Sequence, residues 1–412
     1  MINKNQILLL FGIMCATLPY YGYANSKQGD FVNVLDYGVI PNDQLNDAPA
    51  FQAAIDVAAV SGRTLYIPKG NYHLDTTVVI NTPITILGDG FNTTIRPRNC
   101  GAFAIEAAQV KIENLFILGE KESTNTEDYF GIRVSNGNTI RNITIRDVRI
   151  DGVATGIYLH KAWYATVDNL TMEHNALANV VPYTGIHLQG NSVNTRLINN
   201  QINVAGDAIN IERAEGGSQP EGIMITNNLL VGRRFGVWIK RSLSIHISNN
   251  VIDLCGEQGI RIDTANGVLI NNNWISNRDA ADNIFEAINI KHSIACMISN
   301  NNIQNRSGLR GISIKNGSNG NVITNNTFTQ RYAQGAYFIG FDTNTQKNIV
   351  SDNILRWFEC FSAPISPDWF LEGTESVKYS ASPNLLEENE DIVVVCPPEG
   401  GGGSLEGWPI EQ

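Results

Sequence analysis

The sequence predicts an all-β chain wound into a single-stranded right-handed parallel β-helix, with a capping helix at its N-terminal end and a C-terminal extension. Two recurring phrases and one helix-period segment ahead of them predict it. Their spacing is that of a solenoid, whose units are too small to bury an apolar face alone and stack on one another instead.

The first phrase runs from about residue 110 to 355 and reads apolar, any residue, Asn, Asn, any residue, apolar. It appears as Leu197-Ile198-Asn199-Asn200-Gln201-Ile202 and returns at 225–230, 247–252, 270–275, 298–303 and 323–328. Val350 to Leu355 carries Asp352-Asn353 in the same slots, and degenerate copies surround Asn114, Asn142 and Asn169. Amides repeated at one bend can bond to their equivalents a coil away, so the Asn slots predict an inward ladder.

The second phrase precedes each copy as Gly or Ala, apolar, any residue, apolar, any residue. It reads Gly131-Ile132-Arg133-Val134-Ser135 and restarts at Gly156, Gly185, Ala208, Gly236, Gly259, Ala287 and Gly311, at intervals of about 23 to 29 residues. This is period-2 strand patterning rich in Ile and Val, which excludes helical repeats. Stacked coils place equivalent strands roughly 4.8 Å apart.

The segment from Asp47 to Ile55 has an N-cap candidate in Asp47, an early Pro49 and apolar residues at helical spacing. It predicts a helix covering the open end of the solenoid, where strand edges are otherwise unpaired. Beyond Cys360 the phrases stop, and Pro364, Pro367, Trp369 and the run Gly400 to Gly403 predict a cap or tail over 361–412.

Met1, Lys4, the apolar run from Ile7 to Leu18 and Gly22-Tyr23-Ala24 have the charged start, apolar centre and small-residue cleavage site of a secretory signal. Residues 1–24 are read as that signal and 25–360 as the β-helix domain, with the mature protein periplasmic or secreted. No later stretch approaches the ~20 apolar residues of a membrane span. Cleavage leaves Cys100, Cys255, Cys296, Cys360 and Cys396. Cys360 and Cys396 are placed to bridge the extension, an odd count leaves at least one thiol free, and the spacing is no zinc motif. A net charge of -11 excludes a general nucleic-acid binder, which needs a basic surface for phosphates.

Phe31 to Gly38, Asn46 to Ile55 and Leu65 to Tyr72 together resemble the opening of the pectate-lyase-like superfamily. That opening is shared by polygalacturonase-like enzymes, glucanases and phage tailspikes, so the resemblance implies the fold over roughly residues 30–355 and leaves the reaction open.

If the two apolar positions of the second phrase point inward, its two unspecified positions point out. The first outward position gives Arg133, Tyr158, His187, Asn210, Trp238, Arg261, Asn289 and Ser313. The second gives Ser135, His160, Gln189, Glu212, Lys240, Asp263, Lys291 and Lys315. From His160 to Lys315 the column spans six coil steps, roughly 30 Å, enough for a short oligosaccharide. The cations Lys240, Arg261, Lys291 and Lys315 suit an acidic, uronate-containing polysaccharide, and Trp238 is placed to stack on a sugar ring. His160 and His187 are expected to bond to substrate rather than to a metal.

Three readings of the chemistry stay open, with an enzyme favoured and a lyase ahead of a hydrolase. In a lyase, Lys240 takes the proton beside the uronate carboxylate and Arg261 steadies the charge that develops. The pair is similar to the Lys and Arg of calcium-dependent alginate and dermatan lyases. Arg233, Arg234 and Phe235 stand where those enzymes carry calcium-binding acids, so no calcium ligand set and no other cofactor is expected. In a hydrolase, Glu212 and Asp263, two coils apart, approach the ~6.5–9.5 Å separation of an inverting pair. Gly206-Asp207-Ala208-Ile209 resembles a polygalacturonase segment and adds Asp207 as a candidate acid, although Thr184 and Phe235 replace an Asp and a His of that family. In the third reading the protein binds polymer without cutting it, during exopolysaccharide assembly or export.

Overall fold

The computed structural model describes residues 30–119, 128–173, 184–277, 285–305, 310–330, 337–342, 344–357, 370–372 and 385–386. The signal-like residues 1–24, Cys360 and Cys396 lie outside them.

The chain forms a parallel β-solenoid. One face is a 12-stranded parallel sheet; 24 other strands form two ladders that merge where Lys111–Leu118 and Thr144–Asp151 run through both, and Ile140–Arg141 pairs with Ala162–Trp163 in a separate two-stranded sheet. Eight strands of the 12-stranded sheet carry the outward rows read from the second phrase: β1 (Phe130–Val134), β2 (Thr155–His160), β3 (Thr184–Gln189), β4 (Ile209–Glu212), β5 (Phe235–Lys240), β6 (Gln258–Asp263), β7 (Glu286–Lys291) and β8 (Arg310–Lys315). Each pairs in parallel with the next. Ile, Leu and Val from every coil fill the interior, and Ile186, Ile211, Ile239, Ile262, Ile290 and Ile314 are wholly buried.

The two asparagines of the first phrase play different parts. The second is the inward ladder: Asn200, Asn228, Asn250, Asn273, Asn301, Asn326 and Asn353 are buried, and each amide nitrogen up to Asn326 donates to the side-chain oxygen one coil on at 2.9–3.0 Å, while that of Asn353 donates to the Ile323 and Ser351 carbonyls. The first was expected inside as well, and it is not. Asn199, Asn227, Asn249, Asn272, Asn300 and Asn325 turn the bend with φ of 55–58° and face solvent. Asparagine is among the few side chains that tolerate this left-handed backbone.

The Gly or Ala slot of the second phrase is set by space. A Cβ on Gly236 would meet Ile252 Cγ2 at 2.4 Å and the Gly259 carbonyl oxygen at 2.6 Å. Both this slot and the apolar residue after it are buried, as at Gly185-Ile186 and Ala287-Ile288. Two inward residues in succession flip the parity of the strand.

The helix α1 runs Ala48–Ser61 with Pro49 in its first turn. Asp47 occupies the N-cap position, yet its side chain makes no cap bond. The Asn46 side chain accepts from the Ala48 N–H at 3.1 Å instead. Asp47 ties neighbouring segments together, accepting from the N–H groups of Ile40 at 3.0 Å and His73 at 3.1 Å. At the other end, strand pairing continues past residue 360. Phe370–Glu372 pairs with Tyr337–Phe341 and Leu385–Leu386 with Ile349–Ser351, so the ladders outlast the asparagine phrases. Cys100, Cys255 and Cys296 are free and buried. Among the described residues no helix is long and apolar enough to cross a membrane.

Candidate functional site

The two outward rows align across β1 to β8. Tyr158, His187, Asn210, Trp238, Arg261, Asn289 and Ser313 are successive partners in one, and His160, Gln189, Glu212, Lys240, Asp263, Lys291 and Lys315 in the other. The parity flip adds a third row, which strict alternation would have turned inward. It contains Phe130 and Thr155 at one end, and Phe235, Gln258, Glu286 and Arg310 further on. The face is thus three residues wide.

Glu212 is the hub of the face. Its Oε1 lies 2.9 Å from His187 Nε2, its Oε2 accepts from Lys240 Nζ at 3.0 Å, and Gln189 Nε2 donates to Oε1 at 3.3 Å. The His187 hydrogen bond is the largest cause holding the Glu212 carboxyl down at about 2; burial opposes it and Lys240 adds to it. An ionised carboxylate only accepts, so the hydrogen of the His187 contact belongs to the ring. With Nε2 carrying that hydrogen, the second ring nitrogen, Nδ1, is the one whose lone pair is available whenever the ring is unprotonated.

Tyr158 sits one coil back, with its ring 5.2 Å from that of His187 in an edge-on contact and its hydroxyl donating to Gln189 Oε1 at 2.5 Å. Burial is the main reason its pKa is raised, and the negative charge of Glu212 adds to this. His160 has its Nδ1 3.4 Å from Ser135 Oγ. Burial, followed by the charge of Lys161, lowers its pKa and favours the neutral ring.

Trp238 was expected to present its ring to a sugar, but charged groups surround it. Lys240 Nζ stands 3.3 Å from the ring centroid, while the guanidinium carbons of Arg234 and Arg261 lie 5.0 and 5.1 Å away. Its Nε1 donates to Asp263 Oδ2 at 2.9 Å, and Arg261 Nε donates to the same oxygen at 2.7 Å. The indole therefore gathers three cations by its π-face and fixes one carboxylate by its edge. Lys240 and Arg261, expected as base and carboxylate partner, are each ion-paired, with Glu212 and Asp263 respectively.

Asp207 stands apart from this cluster. It is buried, and Arg234 grips both its oxygens in a bidentate pair at 2.8 and 2.6 Å. That geometry holds Arg234 beside Trp238 and leaves neither Asp207 oxygen without a partner.

Further along lies a group only partly visible in the sequence. Glu286, buried in the third row, accepts from Lys315 Nζ at 2.5 Å, Arg310 Nη1 at 3.2 Å, Ser313 Oγ at 3.0 Å and Gln258 Nε2 at 2.9 Å, and also from Asn289 Nδ2. Burial works to raise its pKa, and the hydrogen bonds and charge of Lys315 reverse that to a net lowering. Lys315 is thus already paired, whereas Lys291 makes no ion pair among the described residues. Three buried amide oxygens along the face, Asn210 Oδ1, Gln258 Oε1 and Asn289 Oδ1, have no donor. No group of three or more His, Cys, Asp or Glu among the described residues is placed to hold a metal ion.

Residues 31–111 match the family model described as rhamnogalacturonase A/epimerase, pectate lyase-like, and residues 184–355 match the model of the right handed beta helix region. The chain is 22% identical to the tail spike protein of Shigella phage Sf6 over 61% of its own length and 44% of that protein's. It is 27% identical to the mannuronan C5-epimerase AlgE1 of Azotobacter vinelandii over 29% of its length and 10% of the epimerase's. It thus spans less than half of either relative. Among solved structures, the Dettilon tailspike protein gp208 superposes with a TM-score of 0.64 at 15% identity, covering 80% of this chain and 69% of that one.

Proposed function

The chain is a right-handed parallel β-helix of the pectate-lyase-like kind, and we propose that its three-row face is the active site of an enzyme acting on an acidic, uronate-containing polysaccharide. The observation that carries this reading is the Glu212 hub, in which one ionised carboxylate fixes the tautomer of His187 and pairs with Lys240. The names of the two curated relatives, a phage tail spike and a mannuronan epimerase, agree with a surface or extracellular polysaccharide as substrate.

The chemistry that suits the hub is proton abstraction beside a carboxylate. His187 Nδ1, free of hydrogen bonds among the described residues, takes the proton from the ring carbon that bears the uronate carboxylate. The electron pair of that C–H bond moves into the carboxylate, where Lys240 and Arg261 stabilise the added charge. Elimination follows when the pair returns to form the ring double bond and the glycosidic C–O bond breaks. The leaving oxygen takes its proton from Tyr158. His187 replaces Lys240 as the base in this scheme, since Lys240 is engaged with Glu212 and the Trp238 ring. An inverting hydrolase needs a protonated carboxyl to donate to the leaving group, and Glu212 at about 2 is ionised at neutral pH. Elimination is therefore favoured over hydrolysis. An exported location goes with this reading, because such polymers lie outside the cell.

The test is incubation of the purified protein with a panel of uronate-bearing polysaccharides. Ultraviolet absorbance of an unsaturated uronate is the expected result. Reducing ends without that absorbance would point to hydrolysis instead. Binding with neither product would make the face a polymer-binding surface.

A further inference from the structure

We propose that one face of the 24-stranded sheet, from Met224 to Ser351, docks a second copy of this chain across a two-fold axis, with the two solenoids antiparallel. Register puts Met224, His246, Leu269, Met297, Val322 and Ile349 in one row of successive partners, and a second row two residues on holds only Thr, Ser and Asn. The Ile and Val residues between the rows are buried, so both rows point out. Met224, Met297 and Ile349 are 43%, 45% and 39% exposed. Apolar side chains lined up in the open on a sheet mark a contact surface. The Glu212 hub belongs to the 12-stranded sheet, so this face is separate from it.

Charge, hydrogen bonding and register all fit a second copy. The chain has a net charge of -11, yet neither row contains Asp, Glu, Lys or Arg, so two copies repel each other least here. Nearer the N-terminus the same sheet carries the ion pairs of Arg146 with Glu113 and Asp168. In the second row Thr226 Oγ1 and Ser248 Oγ lie 3.1 Å apart, Asn271 Nδ2 donates to Ser299 Oγ at 2.9 Å, and Thr324 Oγ1 and Ser351 Oγ lie 3.1 Å apart. Polar groups already bonded to one another lose their water at little cost. A two-fold axis along the solenoids would set the apolar row against this polar one. An axis along the strands instead sets each row against itself in reverse order, with Met224 facing Ile349, Leu269 facing Met297 and His246 facing Val322. Apolar then meets apolar. At the rim the same axis brings exposed Glu221 opposite Gln346 and its exposed neighbour Lys347, an opposite-charge pair made twice. A contact of roughly 24 by 15 Å buries about 700 Å² over both copies, the size of a weak, reversible pair. On the reading of the other sheet as polysaccharide-active, such a pair holds polymer at two faces.

Sedimentation velocity of the full chain from about 1 to 300 µM tests this, since a contact of this size should be half assembled at roughly 10–100 µM. Monomer passing to dimer across that range is the expected result. Leu269→Asp and Met297→Asp each enter the contact twice by symmetry and should weaken the pair at least about tenfold. Thr144→Asp, outward in the same row but short of the apolar stretch, should pair as wild type does. Lys347→Glu should weaken the pair about threefold, and adding Glu221→Lys to the same chain should restore it, an outcome peculiar to the antiparallel register. Unchanged melting temperatures would show that the variants are folded. A monomer at every concentration, a trimer, or a dimer that Leu269→Asp and Met297→Asp leave intact would overturn the proposal. The assay contains no polysaccharide, so the reading of the Glu212 face stands or falls separately.

Discussion

His187 Nε2 and Glu212 Oε1 lie 2.9 Å apart, and since the carboxylate stays ionised down to a pH of about 2, the pair works in one direction: Glu212 orients, His187 reacts. Replacing His187 with Gln should lower turnover on a uronate polymer by about 10²- to 10⁴-fold, the usual contribution of a general base. Glu212→Gln keeps an acceptor for the ring and should cost less. Equal rates in wild type and His187→Gln, at unchanged melting temperature, would remove His187 from the mechanism.

The same carboxylate predicts a pH dependence of stability. Its pKa falls from 4.5 to about 2 on folding, so its contribution is complete above 4.5 and is lost as pH drops toward 2. Glu212→Gln should therefore melt below wild type at neutral pH, and the two melting curves should converge as pH falls from about 5 to about 2. A gap that stays constant across that window would contradict the assignment.

The asparagine bend yields a contrast between neighbours. Asn250→Leu and Asn273→Leu strip amides from a buried ladder and should each destabilise by ~1–3 kcal/mol in urea titrations. Asn249→Gly changes an exposed left-handed position and loses one solvent-exposed hydrogen bond, from Asn272 Nδ2 at 2.6 Å, and should stay within ~0.5 kcal/mol. Similar losses at Asn249 and Asn250 would erase the distinction between the two slots.

Removing Arg234 should show that Asp207 is structural. Arg234→Met leaves a buried carboxylate without its partner and should destabilise by ~3–5 kcal/mol, while Arg234→Lys, which keeps the charge and loses the fork, should lose less. Equal stability of the three proteins would return Asp207 to the list of available acids.

Much of this architecture was legible in the residues because a solenoid repeats its constraints. The Gly or Ala slot and the two apolar positions recur coil after coil, so the outward rows from Tyr158 to Ser313 and from His160 to Lys315 followed from counting alone. The third row did not. Counting by twos places Phe235, Gln258 and Glu286 inside, and only the pair of successive inward residues at Gly236-Val237, Gly259-Ile260 and Ala287-Ile288 brings them out. The charged Glu286 and Arg310, each directly before the Gly or Ala slot beside an Ile-lined core, were signals in the sequence that the parity changes there. Pairings across coils were out of reach too, because partners such as Asp207 and Arg234 lie 27 residues apart and depend on register. So did the change in Trp238 from expected sugar platform to gatherer of cations.

Each coil touches only those above and below, so the molecule loses structure from its ends inward, as a one-dimensional array does. Four strands of the 12-stranded sheet precede β3 and five follow β5. His187, Glu212 and Lys240 are thereby buffered on both sides by coils that can fray first. Heat or an attacking protease would have to erode several of these sacrificial turns before reaching the hub. The solenoid's length beyond the hub then acts as a reserve that sets how long the hub survives.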